Sequence, residues 1–124
     1  MATLSATMGF KYTNGTGNQI SAVTIPPKTK DYTITANTKV SNTQAVGFAA
    51  HEALILGEVG TPGYGWFTNT DSTNFVEIGI DEAATFHPFA KLLAGQTAMV
   101  PLSEAPYAQA DTGSVNLDYT IFGV

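Results

Sequence analysis

The sequence predicts an all-β fold, an antiparallel β-sandwich of jelly-roll or Greek-key type built from about 8–10 short strands. Three observations predict it: apolar and polar residues alternate at period two in the clearest segments, clusters of Gly, Asn, Asp and Pro separate these segments, and no stretch carries a convincing helical period. With 124 residues, the chain has the length of one domain, drawn over residues 1–124.

The first strand is set by Leu4, Ala6, Met8, Phe10 and Tyr12 on one side and Thr3, Ser5, Thr7, Gly9 and Lys11 on the other. Asn14-Gly15-Thr16-Gly17-Asn18 ends it, because Asn-Gly favours the positive φ angles of a tight hairpin turn. The same Asn14-Gly15-Thr16 matches a glycosylation acceptor but is read as a turn. A second strand runs from Gln19 to Ile25 and stops at Pro26-Pro27, which cannot donate ladder hydrogen bonds. Tyr32, Ile34 and Ala36 mark a third strand. Asn37 to Asn42 reads as turn-rich, and Gln44 to Ala50 as a strand through Val46 and Phe48.

His51 to Gly57 is short and glycine-bounded, which favours a strand edge or a single turn. Gly57 to Gly65 reads as a loop leading into Trp66-Phe67. The polar run Asn69 to Asn74 then joins this to Phe75, Val76, Ile78 and Ile80 as an antiparallel hairpin. Further strands are expected over Thr85 to Leu92, Gln96 to Leu102 and Tyr107 to Ala110. The last places Val115, Leu117, Tyr119 and Ile121 on the inner face after the turn Asp111-Thr112-Gly113.

Composition narrows function. Five Lys, no Arg and ten acidic residues give a net charge of −5, against nucleic-acid binding, which draws its affinity from cations on phosphates. The absence of Cys removes disulfides, thiolate metal sites and a cysteine nucleophile. No run of eighteen apolar residues exists, and Met1-Ala2-Thr3-Leu4 has no basic and apolar leader pattern, so neither a membrane partner nor an export signal is expected. A charged fraction of only 12% suggests a surface that meets other proteins.

No catalytic constellation emerges, and no enzyme activity, cofactor or metal is expected. His51 and His87 are far apart in sequence, and His51-Glu52 would point to opposite faces of a strand. Asn69, Asp71, Asn74, Asp81 and Glu82 offer oxygen ligands but lack calcium-loop spacing, and the first three are explained by turn chemistry. There is no Gly-x-Ser-x-Gly elbow, phosphate loop or dinucleotide fingerprint. Tyr64, Trp66 and Phe67 form the one aromatic cluster, with three readings: core, protein interface, or a sugar-stacking platform.

The stretch Glu52 to Gly57, then Val59-Gly60-Thr61-Pro62-Gly63, Trp66-Phe67, Asn69-Thr70-Asp71 and Asn74 to Gly79, resembles small virion proteins of tailed bacteriophages. Phe86 to Leu92, Gly95, Pro101, Ala108 to Gly113 and Val115 to Ile121 extend the likeness over residues 45–122. The resemblance implies a capsid decoration or cement protein that sits on the virion surface after synthesis in the host cytoplasm. It also implies a homo-oligomer, dimer or trimer, partnered by the major capsid protein or other virion proteins. Alternatives are a tail, neck or fibre protein of the virion, or a carbohydrate-binding β-sandwich module.

Overall fold

The computed structural model describes residues 2–12, 23–34 and 38–124, and every regular element among them is a β-strand. The chain divides into two compact units, Met1–Thr35 and Ala36–Val124.

The first unit is an antiparallel ribbon of β1 (Ala2–Tyr12) and β2 (Val23–Ile34). One face carries Leu4, Ala6 and Met8 opposite Tyr32, Lys30 and Lys28. The other is hydrophilic, with Ser5 Oγ donating to Asp31 Oδ1 at 2.5 Å and the Thr7 and Thr29 hydroxyls 2.6 Å apart. The strand expected to stop at Pro26-Pro27 instead runs through both prolines and merges with the third expected strand. A bulge makes this possible: the register passes from Met8↔Lys28 to Phe10↔Ile25, so the two prolines oppose Gly9 alone. A Cβ on Gly9 would lie 3.1 Å from the Pro27 ring, so the glycine leaves room for it. The expected turn at Asn14 to Asn18 lies outside the described residues.

The second unit is a β-sandwich, as the alternation predicted. Its strands are β3 (Lys39–Val46), β4 (Glu52–Ala53), β5 (Pro62–Asn69), β6 (Val76–Glu82), β7 (Thr85–Leu92), β8 (Thr97–Pro101), β9 (Tyr107–Ala110) and β10 (Val115–Gly123). They form two four-stranded sheets, ordered β3-β10-β5-β8 and β4-β9-β6-β7. The first strand of this unit pairs with the last, the second with the seventh, the third with the sixth and the fourth with the fifth, all antiparallel. A long hairpin rolled into two sheets in this way is a jelly roll. Between the sheets lie Val46, Phe67, Val115, Leu117, Tyr119 and Ile121 from one side and Leu54, Val76, Ile78, Leu92, Ala108 and Ala110 from the other. The four inward positions expected for the last strand are all buried.

Three local expectations fail for physical reasons. Residues 39–42 belong to a strand rather than a turn, because β3 pairs with β10 along its whole length, and residues 47–50 do not extend it. The glycine-rich segment is already strand from Pro62, since Gly63 and Gly65 are spacing residues. A Cβ would come 2.2 Å from Val124 at Gly63 and 2.6 Å from the Phe67 ring at Gly65. The hairpin expected across residues 69–74 is absent: β5 and β6 lie in different sheets, and the polar run crosses between them.

That crossing is built on Asn69, which is fully buried. Its Nδ2 donates to the carbonyls of Asn74 and Leu92 at 2.9 Å each, and its Oδ1 accepts from the Asp71 amide at 2.8 Å. Asp71 Oδ2 in turn accepts from the Thr73 and Asn74 amides, which holds its carboxyl below its ordinary pKa, the Asn74 bond contributing most.

Candidate functional site

Period two sends alternate residues of the β3-β10-β5-β8 sheet away from the core, and the register aligns them in rows. Ser41, Thr120, Trp66 and Met99 form one row, and Thr43, Asp118, Thr68 and Thr97 the next. Over these rows lies an open groove of about 550 Å³, lined by Ser41, Thr43, Trp66, Thr68, Asp118 and Thr120 among others.

Trp66 is 48% exposed, and its indole N–H donates to Thr68 Oγ1 at 3.3 Å, which ties the ring along the strand. The hydroxyls are paired across strands, Ser41 with Thr120 and Thr68 with Thr97 at 3.0 Å each, while Thr43 donates to the Asp118 carboxylate. A hydroxyl pair spends one donor and one lone pair on itself, so Ser41–Thr120 keeps one donor and three lone pairs for a ligand, and Thr68–Thr97, whose Thr68 also accepts from Trp66, keeps one donor and two. Asp118 is the one charged residue among those lining the groove.

The structure thus splits the aromatic cluster. Phe67 is fully buried, its ring centroid 6.4 Å from that of Tyr119, and Tyr64 is 6% exposed; Trp66 alone faces the groove. Its polar neighbours were missed because they come from β3, β5 and β10, segments distant in the chain. The available signal was Ser or Thr at every second position of Ser41-Asn42-Thr43 and the outward Asp118 and Thr120 beside a well-defined inner face.

The histidines sit elsewhere. His51 Nε2 donates to Asp81 Oδ2 at 2.5 Å, and its ring stacks on Phe86 at 5.2 Å with Tyr107 at 5.6 Å. The His51 bond is the main reason the Asp81 carboxyl is held below its ordinary value. Glu52 turns away to Gln44 and the Gly47 amide, while His87 is exposed, 4.0 Å from Glu82. Asn69, Asp71 and Asn74 are occupied by the turn, and among the described residues no three His, Asp or Glu side chains converge as a metal site would require.

No protein-family model, curated protein or solved structure matches this chain.

Proposed function

We propose that this chain is a structural component of a bacteriophage particle, a capsid decoration or cement protein that stabilises the head by bridging major capsid subunits. The observation that carries the reading is the division into two compact units of opposite net charge, a two-stranded ribbon, the arm of this proposal, and a jelly-roll body. Residues 1–35 hold Lys11, Lys28 and Lys30 against Asp31, a net +2; residues 36–124 hold Lys39 and Lys91 against nine carboxylates, a net −7. The ribbon's strands have eleven and twelve residues, so the ribbon itself is about 35–40 Å long at ~3.4 Å per residue.

Two-stranded ribbons are marginally stable alone, so an arm laid on a neighbouring subunit gains order from the contact it makes. The body adds half-exposed Phe48, Ile55, Phe89 and Leu93 as apolar anchors. Attachment at several such points stabilises a shell through effective concentration without any single strong contact. The resemblance to small virion proteins supports the same reading.

Quantitative mass spectrometry and electron microscopy of the native particle test it. Hundreds of copies spread over the shell, together with genome loss at lower temperature from particles lacking the chain, are the expected result. Few copies at a single vertex would move the role to the tail, neck or fibre. Equal survival of complete and depleted particles under heating and osmotic shock would end the cementing role.

A further inference from the structure

We propose that the groove beside Trp66 is a carbohydrate site that takes a neutral pyranose unit of an oligosaccharide. This goes beyond the cementing role and does not rest on it.

The chemistry of the groove matches that of a sugar. A pyranose has a face of C–H bonds whose hydrogens carry partial positive charge, and an aromatic face carries the negative end of its quadrupole. Trp66 offers such a face, half exposed, with its N–H already occupied by Thr68 so that the ring orientation is set before a ligand arrives. Preorganisation of this kind removes part of the ordering cost of binding.

Around the rim of a pyranose, each hydroxyl is both donor and acceptor. The Ser41–Thr120 pair is equally amphoteric, because each hydroxyl can rotate to suit its partner, and Thr68, paired with Thr97 at the groove's edge, adds what its bond from Trp66 leaves free. Asp118, fixed from one side by Thr43, retains lone pairs that can accept from two adjacent sugar hydroxyls. A groove of about 550 Å³ lies within the range of small-ligand sites, about 300–1,000 Å³.

Charge sets the class of sugar. With Asp118 as the charged residue of the lining and a net −7 over residues 36–124, phosphorylated, sulfated and sialylated glycans are repelled. Neutral hexoses and N-acetylhexosamines remain. The rival occupant, a protein partner using Trp66 as an anchor, would want an apolar surround that excludes water; Met99 supplies one apolar neighbour, but the groove side of Trp66 is lined by Ser41, Thr43, Thr68, Asp118 and Thr120.

Trp66 is the only tryptophan in the chain, so its fluorescence and its indole N–H resonance report this site alone. The isotopically labelled full chain would be titrated with neutral oligosaccharides of glucose, galactose, mannose and N-acetylglucosamine at millimolar concentration. At least one is expected to shift the Trp66 indole resonance and the amides of Thr43, Thr68, Asp118 and Thr120 saturably. Trp66→Ala should weaken binding about tenfold or more. Trp66→Phe should retain part of it, Asp118→Asn should weaken it with the fold intact by circular dichroism, and Lys91→Ala should change nothing.

If no oligosaccharide moves the Trp66 resonance, or if binding survives both Trp66→Ala and Asp118→Asn, the proposal is wrong. Loss of particle attachment by Trp66→Ala without any sugar binding would likewise overturn it and assign the face to a protein contact. Sugar binding by a chain that leaves particle stability untouched would uphold the site while refuting the cementing role.

Discussion

Asn69 holds together the point where the chain passes from one sheet to the other, and its fully buried amide satisfies three backbone groups, the Leu92 carbonyl in a buried bond. Asn69→Ala strands all three and opens a small void, so it should cost about 2–4 kcal/mol in urea denaturation. Tyr119 plays a similar part on the inner side of β10, its hydroxyl accepting from Asn42 and lying 2.7 Å from the Ile55 carbonyl and 3.0 Å from Gln44 Oε1. Tyr119→Phe keeps the ring and should cost about 1–2 kcal/mol; a variant as stable as the parent would show that the network contributes nothing. Asp71 and Asp81 both have folded-state pKa values below the ordinary 3.8. Their stabilisation is therefore complete above that value and lost as pH falls through the folded pKa. Stability measured from pH 7 downward should stay level and then fall below about pH 4. Asp71→Ala should lower the plateau and flatten that acid limb.

Among the elements, the β6–β7 hairpin turns through Ala83 and Ala84 at φ of 52° and 66°, left-handed angles that a type I′ turn demands and alanine resists. Replacing Ala83→Asn and Ala84→Gly together should raise stability by about 1–2 kcal/mol, read as a higher denaturation midpoint. An unchanged or lower midpoint would mean that the turn's strain is relieved elsewhere. This turn also shows why part of the fold was hidden in the sequence. Ala-Ala carries no turn signature, whereas Asn69 to Asn74 carries a strong one and yet serves a crossing between sheets, because turn chemistry specifies a local bend and not which strand follows. β10 was legible from its alternation because one face is wholly apolar; β3 was legible only from Gln44, because Asn42 occupies an inner position that the Tyr119 hydroxyl, remote in sequence, makes tolerable. Trp66 stood out as an aromatic, but the hydroxyl rows that give it a chemical setting exist only once four strands are in register.

At the scale of the whole molecule, the segregation of charge is the feature that bears on assembly. Every copy carries a basic unit over residues 1–35, net +2, and an acidic unit over residues 36–124, net −7, so unlike units of different copies attract while two acidic units repel. If arms engage other subunits in this way, association should be strong at low ionic strength and weaken as salt shortens the screening length to about 8 Å at physiological strength. Light scattering on the purified chain should then show a dimer or trimer that shifts toward monomer as salt rises. Reversing the arm with Lys28→Glu and Lys30→Glu should produce the same shift at low salt, while the jelly roll's circular dichroism stays as in the parent. Both lysines are exposed on the ribbon, opposite Met8 and Ala6, so the reversal leaves the body's core untouched. An oligomer indifferent both to salt and to charge reversal would mean that apolar surface, and not the arm's charge, joins the copies. A monomer under every condition would leave attachment to depend wholly on a partner of different sequence.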